Sequence, residues 1–72
     1  MKIEISKEEV REARKKIGYT QAELASVFNI SPTTVYYWEK EGRGLHGGTT
    51  RYALNAFFEK KLGEDWKSLI KD

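Results

Sequence analysis

Apolar residues along the chain recur at intervals of three and four positions, the spacing of one face of an α-helix. Glycine, asparagine or proline repeatedly interrupts this pattern, which therefore predicts an all-α, compact bundle of about five short helices. The first helix is expected over Lys7–Ile17, after a capping box formed by Ser6 and Glu9 and before the helix-ending Gly18. Residues 1–5 alternate polar and apolar side chains and could form an extended arm.

A second and a third helix are predicted on either side of a sharp turn. Thr20 and Glu23 form another capping box, which opens a helix of about two turns. Asn29 tolerates a positive φ and suits the turn. Ser31 can then cap a helix over 32–40, in which Pro32 takes the first position. The apolar stripe of the second helix comprises Leu24, Ala25 and Phe28.

The second half of the chain predicts a loop and two further helices. Residues 41–48 contain four glycines and His46, so they favour a loop. Thr49 or Thr50 is expected to cap a fourth helix, which ends at Gly63. Residues 64–70 can form a last short helix that presents Trp66, Leu69 and Ile70.

The most informative stretch is residues 21–40. Two helices this short are unstable alone, so apolar residues must hold them at a fixed angle. Val35 and Trp38 are predicted to face inward, with Ala25 as the small residue where the helices cross. Five residues are expected to project from the opposite side of the third helix: Pro32, Thr33, Tyr36, Tyr37 and Lys40.

Composition narrows the classes of function. The 72 residues are expected to form a single domain, and nine aromatic residues argue against disorder. The absence of cysteine and the single histidine argue against a metal site, and neither a catalytic constellation nor a phosphate-binding loop is recognisable. We therefore expect no enzyme activity, no cofactor and no small-molecule ligand.

The sequence has neither a signal peptide nor a membrane span, so a cytoplasmic location is expected. A net charge of +2 permits DNA binding without indicating it.

From Val10 to Leu62 the sequence resembles the lambda Cro and repressor-like (XRE-type) helix-turn-helix family, most closely at residues 21–25 and at Trp38 and Glu39. The resemblance implies a domain that binds double-stranded DNA with helix 32–40 in the major groove. It further implies a small transcriptional regulator, such as a repressor or autorepressor of the phage or mobile-element type. Two departures are Asn29, where the family usually has glycine, and a loop without the proline often found there.

The resemblance also implies a role for individual residues. The base-reading residues would be Pro32, Thr33, Tyr36 and Tyr37. The phosphate-contacting residues would be Gln21, Ser31, Lys40 and Arg43. A salt bridge between Arg14 and Glu39 would join the first helix to the recognition helix. Segment 64–72 would supply a homodimer interface through Trp66, Leu69 and Ile70, and the dimer would bind a palindromic operator.

Other interpretations remain open at this point. The same fold could serve as a protein-binding adaptor or an antitoxin-like module, because fold does not dictate function. A winged-helix DNA binder of the MerR or excisionase type is suggested by residues 34–42, although the helix over Lys7–Ile17 and the lack of wing strands argue against it. Tyr36 and Tyr37 could be ordinary surface aromatics. Trp66, Leu69 and Ile70 could instead pack onto the protein's own core.

Overall fold

The computed structural model describes residues 4–45 and 49–70 and folds them into five α-helices. These are α1 (Lys7–Ile17), α2 (Gln21–Val27), α3 (Pro32–Lys40), α4 (Thr50–Leu62) and α5 (Trp66–Ile70). Helix α3 packs against α1 and α2, while α1 also packs against α4 and α5. The predicted all-helical bundle is confirmed.

Both predicted capping boxes set the beginnings of α1 and α2. The Ser6 hydroxyl accepts from the Glu9 backbone N–H at 3.1 Å, and the Glu9 carboxylate accepts from the Ser6 N–H at 2.9 Å. Thr20 and Glu23 repeat the arrangement with distances of 3.0 and 2.8 Å. Gly18 ends α1 at φ 92°, a left-handed conformation that glycine adopts without steric cost.

The hydrophobic core draws on every helix. Its centre consists of side chains with no exposed surface, and bulkier partly buried aromatics surround them. The Phe57 ring links the Tyr19 ring (5.9 Å between centroids) with the Phe28 ring (5.6 Å). Because each short helix buries its apolar face here, packing rather than intrinsic helix propensity holds the bundle together. The fully buried centre comprises Val10, Ala13, Leu24, Val35, Leu54 and Phe58.

The boundaries of α4 and α5 differ slightly from the sequence expectation. Thr49 stands at the N-cap of α4, but its side chain makes no capping hydrogen bond, so neither threonine provides the predicted hydroxyl cap. Gly63 ends α4 as predicted, at φ 106°. Helix α5 begins at Trp66, two residues after the predicted start of the segment.

Trp66 is not a dimer contact, which corrects one of the three residues predicted for a two-fold interface. Its side chain is only 1% exposed, and its ring lies 4.9 Å from that of Phe58. Its indole N–H donates to the Asn55 side-chain oxygen at 3.0 Å. A side chain enclosed in this way cannot reach a second molecule. Leu69 is 47% exposed and Ile70 is half-buried, so both remain at the surface.

The predicted N-terminal arm is at least partly packed against the domain. Ile5 is buried in the core, and the Lys67 ammonium donates a hydrogen bond to the Glu4 carbonyl. Residues 1–3, at the start of the predicted arm, and His46 of the glycine-rich loop lie outside the described residues.

The winged-helix alternative is wrong. Within residues 4–45 and 49–70 no strand occurs, and the element that follows α3 is a helix of 13 residues. None of the helices in these ranges has the length and hydropathy needed to cross a membrane.

Candidate nucleic-acid interface

A tight turn places the start of α3 beside α2. Asn29 adopts φ 57°, as its residue type predicted, and is the one non-glycine residue with positive φ among those described. The Ile30 N–H donates to the Ala25 carbonyl at 3.0 Å and closes the turn. Ala25 itself is only 1% exposed, as expected for the small residue predicted where the two helices cross. The turn therefore fixes the angle between α2 and α3.

The first turn of α3 is capped and exposed. The Ser31 hydroxyl accepts from the Thr33 backbone N–H at 3.1 Å, and Pro32 occupies the first helical position, where a missing N–H costs nothing. Since the Ser31 oxygen acts as acceptor, its own O–H is left to donate elsewhere. Pro32, Thr33 and the adjacent Thr34 are all exposed.

The inner side of α3 is anchored in the core, as predicted. Val35 has no exposed surface and Trp38 is 5% exposed. The Trp38 ring packs edge-on against Phe28 with 6.2 Å between centroids. Gly44 passes so close that a Cβ at this position would lie 3.2 Å from the Trp38 indole nitrogen. Gly44 also has φ 89°, so any other residue at this position would be strained.

A charged network ties α3 to the other two helices of the site. Arg14 donates to both Glu39 carboxylate oxygens, at 2.6 and 3.0 Å, so the predicted salt bridge forms in bidentate geometry. Arg14 also donates to the Tyr19 carbonyl at 2.7 Å, and Gln21 donates its side-chain amide to Glu39 at 3.1 Å. The Arg14 and Glu39 side chains are 12% and 4% exposed. These hydrogen bonds satisfy a charge that would otherwise be buried alone.

The outer side of α3 carries two tyrosines. Tyr36 is 41% exposed and Tyr37 is half-buried, with their rings packed edge-on at 5.3 Å. The Lys40 ammonium lies 5.3 Å from the centre of the Tyr36 ring and donates to its hydroxyl at 3.0 Å. This hydrogen bond raises the pKa of Lys40 above its ordinary value, and the nearby Glu41 carboxylate adds to the effect. Lys40 therefore stays a cation at neutral pH.

Arg43 follows α3 in the loop and already has two partners. Its guanidinium stacks over the Tyr37 ring at 4.6 Å and pairs with the Glu41 carboxylate at 2.8 Å. The Arg43 side chain is nevertheless 67% exposed, so a solvent-accessible phosphate could compete for it.

Five of the eight predicted DNA-contacting residues lie on α3, and a sixth, Ser31, is its N-cap. Gln21 differs from the expectation, because its side-chain amide is engaged with Glu39. Two cations without an individual role in the sequence analysis, Lys7 and Arg11, lie on α1 next to the end of α3. Their spacing of four residues showed that they share a face, but not which helix that face meets.

Comparison with known families gives one result that covers the site. A helix-turn-helix family model matches residues 10–47, just over half of the chain, which include α2, the turn and α3. Neither the curated proteins nor the solved structures contain a match to the chain.

Proposed function

Because the chain belongs to the lambda Cro-like (XRE-type) helix-turn-helix family of DNA-binding domains, we propose that it reads a specific DNA sequence by inserting α3 into the major groove. We further propose that it is a small transcriptional regulator, a repressor or autorepressor of the phage or mobile-element type. Occupation of a promoter by the domain would suffice for repression.

The observation that carries this proposal is the contrast between the two sides of α3. Val35 and Trp38 fix the inner side, with 0% and 5% exposure, whereas Thr33 and Tyr36 stand uncovered on the outer side. A helix of nine residues held in this way can enter a groove about 12 Å wide without rearrangement of the core.

Base reading falls to Pro32, Thr33, Tyr36 and Tyr37 in this proposal. None of them has an amide or a guanidinium group, which make the strong bidentate contacts with adenine and guanine. Hydroxyl contacts and packing on thymine methyl groups remain available, together with the shape of the duplex. We therefore expect a binding site rich in A·T pairs at the positions next to Thr33.

Phosphate contacts fall to Ser31, Lys40 and Arg43, with Gln21 in a modified role. The Ser31 O–H is free to donate, and Lys40 and Arg43 are exposed cations. In the free protein the Gln21 side-chain amide donates one hydrogen to the Glu39 carboxylate. The donors left for a phosphate are the second amide hydrogen and the backbone N–H.

Dimerisation on a palindromic operator is proposed through Leu69 and Ile70, without Trp66. Leu69 is one of four large hydrophobic side chains exposed in the described ranges, and it lies on the last helix. One copy of α3 reads only a few base pairs, so two copies would improve specificity. Sedimentation of the protein with its DNA tests this point: a 1:1 complex on an intact palindrome would exclude the dimer.

Selection of bound sequences from a random duplex pool tests the proposed function. We expect an enriched motif whose two halves are about 10 base pairs apart. Thr33→Ala and Tyr37→Ala should weaken or alter the preference, while Lys16→Ala, on the far side of α1, should leave it unchanged. If no sequence is enriched, the domain does not read DNA sequence, and the protein-binding adaptor becomes the better interpretation.

A further inference from the structure

Three cationic residues from two helices, Lys7, Arg11 and Lys40, lie near the C-terminal end of α3. The Lys7 ammonium donates to the backbone carbonyl of Lys40 at 3.3 Å, which brings the start of α1 against the end of the recognition helix. Arg11, one turn further along α1, lines an open depression of about 210 Å³ together with Lys40. Gln21, Tyr36 and Glu39 complete its wall.

The carboxylates near this cluster are engaged with other cations. Glu39 is held by Arg14 at 2.6 Å, and Glu41 pairs with Arg43 at 2.8 Å. Arg11 has only a loose, exposed contact with Glu12 at 3.5 Å, whose side chain is 47% exposed. Lys7 and Lys40 form no ion pair with any carboxylate in the described parts of the chain. The positive charge of the cluster is therefore only partly compensated, by the Arg11–Glu12 contact and by the nearby Glu41.

The acidic residues of α1 lie toward a different neighbour. Glu8, Glu9 and Glu12 line a depression next to Ile70 of α5. Helix α1 thus presents basic side chains toward α3 and mainly acidic side chains toward α5. Like charges that converge repel one another in the free protein, so a bound anion would relieve this repulsion.

We propose that Lys7, Arg11 and Lys40 form a cradle for a phosphate of the DNA backbone at the edge of the groove that α3 enters. The proposal rests on the proposed function, because it places the anion on the strand beside the inserted helix. It adds two residues of α1 to the interface. The exposed Tyr36 lines the same depression, so base reading and the phosphate contact are adjacent.

The salt dependence of DNA affinity measures this contact. Each phosphate neutralised contributes a slope of about 0.9 to the fall of log K with log salt concentration. Arg11→Gln should lower the magnitude of the slope by at most about 0.9, because Lys7 and Lys40 still face the same phosphate. It should weaken binding to a selected site and to a mixed-sequence duplex by the same factor. Lys7→Gln should act in the same direction.

Lys16→Gln is the matched control. It removes the same charge from the same helix, but Lys16 is nine residues, or about two and a half turns, from Lys7 and so lies on the opposite side of α1. Its slope should equal that of the unmodified protein. All three substituted residues are exposed or half-exposed, so each variant should keep the fold. Thermal unfolding of each variant checks this.

A second measurement separates a direct contact from a general effect of charge. Uncharged methylphosphonates are placed singly along the selected duplex. At one position the substitution should weaken binding of the unmodified protein but have little further effect on Arg11→Gln. If Arg11→Gln and Lys7→Gln keep the slope of Lys16→Gln, the cradle does not exist although DNA binding stands. If the unmodified protein binds no duplex, the proposed function fails as well.

Discussion

Removal of the Glu39 carboxylate tests the anchor of the recognition helix most directly. In Glu39→Ala, Arg14 keeps its bond to the Tyr19 carbonyl but loses both hydrogen bonds to the carboxylate. Because the Arg14 side chain is only 12% exposed, water replaces those partners poorly. Removing one member of a buried pair typically costs about 3–5 kcal/mol, since it leaves the other charge without compensation.

That loss is large for a domain of this size. A chain of 72 residues has an expected free energy of unfolding of roughly 4–11 kcal/mol, at about 0.05–0.15 kcal/mol per residue. A loss of about 3 kcal/mol would lower the midpoint of thermal unfolding by roughly 12–24 °C, at about 4–8 °C per kcal/mol. Glu12→Ala provides the comparison, because its exposed pair with Arg11 should contribute less than about 1 kcal/mol.

Urea unfolding followed by circular dichroism measures the free energy of unfolding of both variants. A double-mutant cycle isolates the interaction energy between Arg14 and Glu39. Arg14→Met and Glu39→Ala are combined, and the double variant should be more stable than the sum of the two single losses implies, by about 1–3 kcal/mol. A loss below about 1 kcal/mol in Glu39→Ala, or strictly additive effects, would refute the role of this pair as the anchor of α3.

Three further predictions concern the turn, the cap and the reading side. Asn29→Ala should lower the free energy of unfolding by about 1 kcal/mol in urea titrations because φ is 57° there, whereas Asn29→Gly should not lower it. Ser31→Ala should cost about 1 kcal/mol in the same measurement, because the Thr33 N–H loses its acceptor. At a thymine that Thr33 contacts, replacement by uracil should weaken binding about fourfold in a filter or anisotropy assay, at about 0.8 kcal/mol for each buried methyl. Thr33→Ser should abolish this difference between thymine and uracil, and equal binding of both duplexes by the unmodified protein would exclude the methyl contact.

Local chemistry made the first three helices predictable. Ser6 and Glu9, like Thr20 and Glu23, satisfy backbone groups within four residues, so their role depends on little else. Asn29 was predictable for the same reason, because its backbone preference is intrinsic. The pairing of Arg14 with Glu39, 25 residues apart, came from the family resemblance instead.

Apart from the hydroxyl cap of α4, which Thr49 does not form, the wrong or incomplete predictions depended on tertiary arrangement. The apolar pattern of α5 predicts that Trp66 is buried. It does not distinguish burial in the core of the same domain from burial against a second molecule. Gln21 lies 18 residues from the Glu39 carboxylate that binds it, and no local pattern reveals that acceptor. Likewise, the direction in which Lys7 and Arg11 point depends on the rotation of α1 about its axis, which only the packed bundle fixes.

The division of α1 into a basic and an acidic side has a consequence for the first encounter with a duplex. The negative field of DNA attracts one side of this helix and repels the other, so it exerts a torque on a molecule whose net charge is only +2. An approaching domain would be turned before contact, and a larger fraction of collisions would begin with α3 toward the groove.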